Sequence, residues 1–221
     1  MARNEDNTVS SENQVSDHIY YEDRGGKKIL FLGNSITKHA PSPTIGWYGD
    51  WGMAASSKDK DYVHRTMAKV WENFPQTSFM VAQIAPWERE FWNENLLNET
   101  FADAVNYNAD IIVMRAIENV REIEHEGYSL EKAYNVLIDT VAKNNAKVVL
   151  TNSFWQAPQK DSVVLKVAKD RNCKLVDVCI GSDDRYTAKG LFEHSGVAAH
   201  PGDEGMEEIA CRIFESIKEY L

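Results

Sequence analysis

Five short runs of the chain are apolar almost without interruption. They are residues 27–33 (KKILFLG), 77–84 (TSFMVAQI), 110–115 (DIIVMR), 146–152 (AKVVLTN) and 174–179 (KLVDVC). Runs of this length, rich in Val and Ile, suit strands buried on both faces of a parallel sheet. Between them the apolar positions fall at helical spacing. One stripe is Val63, Met67, Val70, Trp71 and Phe74, and another is Ala133, Tyr134, Leu137, Ile138 and Val141. Val163, Val164, Val167 and Ala168 form a shorter stripe, and Met206, Ile209, Ala210, Ile213, Phe214 and Ile217 form the most regular one. Asp203 is the expected N-cap of that last helix. The alternation predicts right-handed βαβ crossovers and an α/β fold, a three-layer α/β/α sandwich on a five-stranded parallel sheet.

Composition narrows the partners. The chain has 221 residues and a formal net charge of −10. One domain is expected at this length, over residues 25–221, behind a polar N-terminal arm of residues 1–24. The acidic balance argues against a broad nucleic-acid surface, which needs clustered Lys and Arg. No run of 18 apolar residues exists, so no membrane span is expected. Residues 1–23 carry no apolar secretion signal, and the three cysteines show no CxxC spacing, so a cytoplasmic location is expected. Six Trp, nine Tyr and eight Phe are many large rings for a mean hydropathy of −0.46.

Residues 38–57 break the rhythm, with no clean period and several Pro, Gly and Trp. A connection this long inside a compact domain is more often functional. It follows the first run, whose end is Gly33-Asn34-Ser35-Ile36-Thr37. A Ser on a sharp turn at a sheet's carboxyl edge suits a nucleophile; it also suits a simple cap. A base would be needed. His200, in a loop and fixed by Pro201, is the first candidate, with His39 and His194 as rivals. Asn119 lies past the third run, where an amide can serve an oxyanion or merely make a turn. Trp47, Tyr48 and Trp51 in the long loop can stack on a ligand, pack the loop down, or meet a second copy in a homodimer. Glu88 reads as a first-turn helix acid. No cofactor is expected, since neither GxGxxG nor GxxxxGK[ST] occurs. No metal site is indicated, because Glu193, His194 and His200 lack helical ligand spacing.

Three blocks together resemble the SGNH (GDSL-type) hydrolases. Gly33-Asn34-Ser35-Ile36-Thr37 is similar to the GDSIT block, with Asn34 for the usual Asp. Residues 115–120 (RAIENV) resemble the GxND block, and residues 200–206 (HPGDEGM) the DxxHP block with its helix. The resemblance implies a flavodoxin-like sheet and a serine esterase acting on a small carboxylic ester. Family analogy offers an acetyl ester on a carbohydrate as the substrate. It implies Ser35 as nucleophile and His200 as base, with Ser35 and Asn119 as oxyanion donors; the family's block-two Gly is absent, and Ala85 is the candidate for the third donor. Asn34, Trp47, Tyr48, Trp51 and Glu118 are the substrate-binding candidates. The chain departs from the family where the triad acid should stand three residues before the His, for that residue is Val197. A backbone carbonyl, or an acid such as Glu193, would then have to orient His200. This departure keeps a second reading open: a weak or inactive hydrolase fold that binds carbohydrate.

Overall fold

A computed structural model describes residues 14–16 and 19–221. The five expected runs become parallel strands: β3 (Lys28–Gly33), β4 (Ser78–Gln83), β5 (Ile111–Arg115), β8 (Lys147–Thr151) and β9 (Lys174–Val176). Their spatial order, β4-β3-β5-β8-β9, puts the first in sequence between the second and third. This is the flavodoxin-like order, with its switch point at β3.

Two antiparallel strands extend the sheet beyond β4. They are β1 (Gln14–Ser16) and β2 (Ile19–Glu22), and β2 pairs Tyr20 with Val81. The described sheet therefore has seven strands. The sequence reading places residues 14–22 in a polar arm. Ile19 and Tyr20 are buried, however, and β2 covers what would be a bare edge of β4. A separate hairpin, β6 (Glu124–His125) with β7 (Tyr128–Ser129), turns at Glu126 and Gly127, both with positive φ.

Strand period decides the two cores. Leu30, Leu32, Met80, Ala82, Ile112 and Met114 face one side. Ile29, Phe31, Phe79, Val81, Ile111 and Val113 face the other. Each buried aliphatic side chain contributes about 1.5–3 kcal/mol, against about 1 kcal/mol for a helix cap. The two sheet faces, not the caps, therefore hold the fold.

Helices α1 (Tyr62–Trp71) and α8 (Asp203–Ile217) pack together on the second face. On the first face lie α2 (Ala85–Arg89), α3 (Asn95–Asn98), α4 (Ala102–Asn106), α5 (Leu130–Val141) and α6 (Pro158–Asp170). A single turn, α7 (Ser195–Ala198), precedes α8. Asp203 is not the N-cap of α8 but its first residue; Gly202 takes the cap position. The Asp203 carboxylate instead accepts from the Ser56 amide at 2.8 Å and hydroxyl at 2.7 Å, tying α8 to the long loop.

Candidate active site

The strand register sets the site. Gly33 at the end of β3 pairs with Gln83 on one side and Arg115 on the other. Three chain segments thus leave the sheet at one level. A side chain on Gly33 would strike the Thr37 hydroxyl, so the β3 turn closes only around glycine. Asn34 then caps its own turn: its carbonyl accepts from Thr37 and Lys38, and its side-chain oxygen from the Ile36 amide. Ser35, at the head of this turn, is half-buried. Among the described residues its N–H meets no acceptor.

Ser35 and His200 meet, 165 positions apart in the chain. The Ser35 Oγ lies 2.8 Å from His200 Nε2. The His200 backbone is fixed on both sides: its carbonyl accepts from Ala188, and Thr187 bridges Pro201. On the far side of the ring, Nδ1 lies 2.7 Å from the Gly196 carbonyl oxygen. The last carbonyls of a helical turn have no intrahelical partner. The His200 amide bonds Val197 O instead, so the Gly196 carbonyl is left for the ring. An Nδ1–H donated there leaves the Nε2 lone pair facing Ser35. Trp155, in the loop after β8, stands edge-on to His200 with ring centroids 5.4 Å apart, and its indole N–H donates to Ala199 O. Burial pushes the imidazole down to about 4, partly offset by the Gly196 carbonyl.

The rival groups have other partners. His39 Nδ1 lies 2.6 Å from its neighbour's carbonyl, Ala40 O, and His194 Nδ1 accepts from Val197 N as the cap of α7. Glu193 is exposed and forms no bond to His200. Val197 is 1% exposed and packs in the apolar core.

Beneath the Ser35 turn lies a buried polar cluster. The Asn34 amide donates to Glu88 Oε1 at 2.9 Å and to Glu118 Oε2 at 2.5 Å. The Asn119 amide donates to Glu88 Oε2 at 2.5 Å. Arg115, fully buried, pairs with Glu118, which also accepts from the Phe154 amide. Burial, then the Glu118 charge, pushes Glu88 up to about 8. The amide donors of Asn34 and Asn119 favour the charged form, but burial and the like charge of Glu118 outweigh them.

This cluster corrects two expectations. Glu118, expected to bind substrate, has a side chain only 5% exposed and is held by Arg115 and Asn34. Asn34, also expected there, is wholly buried. Glu88 stands in the first turn of α2, as expected, but it is fully buried at the centre of the cluster. The signal was the spacing from β4, since a helix starting at Ala85 directly past the strand keeps its first turn at the sheet edge. In the sequence Arg115 stands out only as the head of the RAIENV block.

The aromatic loop is corrected too. Trp47 and Trp51 are buried, stand edge-to-face at 5.6 Å, and donate their indole N–H groups to His39 O and Ala55 O. A side chain on Gly49 would strike both rings. They pack the loop down and have no face left for a ligand. Tyr48, 63% exposed, is the loop ring open to solvent. The Ala85 N–H donates to Gln83 Oε1 at 3.2 Å.

No protein-family model and no curated protein sequence matches the chain. Solved structures do. The acetylxylan esterase Axe2 from Geobacillus stearothermophilus is 18% identical with a TM-score of 0.56, covering 87% of this chain and 94% of its own. The psychrotrophic esterase EstA from Pseudoalteromonas sp. is 14% identical with a TM-score of 0.58, covering 88% and 98%. A GDSL-like lipase from Parabacteroides merdae is 18% identical with a TM-score of 0.59, covering 87% and 95%. Among the described residues no helix is long and apolar enough to cross a membrane. Sheet order, strand-end serine and structural likeness converge: the chain has the fold of the SGNH (GDSL-type) hydrolases.

Proposed function

We propose that the protein is a serine ester hydrolase working through a Ser35–His200 dyad on a small carboxylic ester. The carrying observation is the line Ser35 Oγ, His200 Nε2, His200 Nδ1, Gly196 O, with contacts of 2.8 and 2.7 Å. His200 takes the Ser35 proton as Oγ attacks the ester carbonyl. The imidazolium then returns the proton to the leaving alkoxide, and water repeats the cycle on the acyl-enzyme. The oxyanion draws on the Ser35 N–H and the Asn119 amide. Ala85 serves as a third donor once its N–H releases Gln83.

A neutral carbonyl behind the imidazole stabilises the imidazolium less than a carboxylate would. Loss of the orienting acid costs up to about 10⁴ in rate where a site depends on it. Slow turnover is therefore the expectation. The likeness to an acetylxylan esterase supports testing acetyl esters on carbohydrates first.

A second reading, a carbohydrate-binding module on a decayed hydrolase fold, draws on Val197 in the acid's position. The burial of Trp47 and Trp51 weighs against it, since it removes two stacking rings. One experiment separates the two. Wild type is expected to hydrolyse p-nitrophenyl acetate and to be labelled by a fluorophosphonate, and Ser35→Ala to do neither. Equal rates in the two proteins would sink the assignment. Glycan binding without labelling would favour the module.

A further inference from the structure

The mechanism above leaves the fully buried carboxyl of Glu88 without a role. Glu88 accepts from two amides at once, that of Asn34, which forms the nucleophile turn, and that of Asn119, the oxyanion donor. An amide NH2 has two hydrogens. When Glu88 holds one hydrogen of Asn119, the other is fixed in direction. We propose that Glu88 is a positioning residue for the oxyanion site, aiming the free Asn119 N–H at the carbonyl oxygen of an ester bound at Ser35. The inference rests on the ester-hydrolase reading.

The charge of Glu88 decides whether this arrangement works. A carboxylate behind an oxyanion donor would oppose the developing negative charge, whereas a neutral carboxyl would not. Glu118, with Arg115 paired behind it, and Asn119 face Glu88 from past β5, Asn34 from the β3 turn and the Tyr134 phenol from α5. Arg115 pairs with Glu118 through one guanidinium nitrogen, and Glu118 repels a second carboxylate. With Arg115 and Glu118 both charged, the cluster is neutral when Glu88 keeps its proton, in line with its upward displacement to about 8. Activity then falls as pH rises through that value, because deprotonation puts a negative charge behind Asn119.

Asn34 fits the same scheme. Its NH2 supplies a donor to each carboxyl group. An Asp at that position would leave both carboxyls without it and add a third acid.

Glu88→Gln and Glu88→Ala test the inference on the full chain with p-nitrophenyl acetate. Gln keeps a carbonyl acceptor for Asn119 at every pH and gives up only the Asn34 bond, because its NH2 takes the place of Oε1. This variant is expected to hold kcat within about threefold of wild type at pH 7 and to lose the fall in rate above pH 8. Ala removes the acceptor. It is expected to lower kcat about 10²-fold with KM little changed, the range for a lost oxyanion donor. Circular dichroism checks that both fold; if Ala does not, the Gln pH profile alone decides. A retained alkaline fall in Glu88→Gln, or unchanged kcat in folded Glu88→Ala, overturns the inference. An inactive, unlabelled wild type overturns the hydrolase reading instead.

Discussion

Nδ1 of His200 lies 2.7 Å from the carbonyl oxygen of Gly196, in the place where a triad would put a carboxylate. The partner is neutral and belongs to the backbone. It fixes the tautomer of the ring but adds no charge to hold an imidazolium. Adding an acid by substitution would not repair this, since Val197 packs its side chain in the core.

Val197→Asp should therefore not raise turnover. It should destabilise the fold by about 2–4 kcal/mol, because it buries a carboxylate without a partner. Chemical denaturation with activity assays checks both. A rise in kcat at unchanged stability would show that position 197 can reach His200.

The pH dependence of kcat/KM should be displaced to the acid side. His200 acts as a base only when neutral, and burial pushes it down to about 4. The ascending limb should lie near pH 4, not near the ordinary histidine value of about 6.5. Stability follows the same group with a definite sign. Between about 4 and 6.5 the unfolded state binds the proton and the folded state does not, so stability is lost as pH falls through that window. A limb near 6.5 in the rate profile would refute the burial argument.

Glu88 carries the opposite sign. Its folded pKa, about 8, lies above its ordinary value of 4.5, so the folded state keeps a proton that the unfolded state releases. Its contribution is fully present below about 4.5 and fades as pH rises toward 8. Glu88→Gln should gain melting temperature relative to wild type as pH is raised from 5 to 9. A constant difference across that range would contradict the prediction.

Asn34→Asp should destabilise the protein, and more so at pH 9 than at pH 5. It replaces the donor shared by Glu88 and Glu118 with a third acid. A cost of about 3–5 kcal/mol at pH 9 is the scale for an uncompensated buried charge. Melting curves at the two pH values are the measurement; equal losses would mean that charge is not the cause.

Trp47→Ala and Tyr48→Ala should part company although they are neighbours. Trp47 is buried, so truncation should cost about 3–5 kcal/mol. Tyr48 is exposed, so its truncation should leave stability within about 0.5 kcal/mol. Any change in KM with the second variant would mark Tyr48 as a substrate contact.

The chain's local patterns determined the parallel strands, the main helices and the turn that carries Ser35. Continuous apolar runs, helical stripes and Gly33 act through near neighbours, and these forces need no distant partner. The same patterns could not say what lies beneath Ser35. Asn34 meets Glu88 across 54 positions and Glu118 across 84, and Ser35 meets His200 across 165. The sheet register, which sets Gly33 level with Gln83 and Arg115, gathers the first three segments, and the Thr187–Pro201 bridge and the Ala188 bond hold His200. Burial was equally out of local reach. Ile19 and Tyr20 sit in a polar stretch, yet they close the edge of β4. Glu88 has the sequence context of an ordinary first-turn helix acid. Its burial and its neighbour in space, the Glu118 carboxylate, push it well above the ordinary carboxylate range.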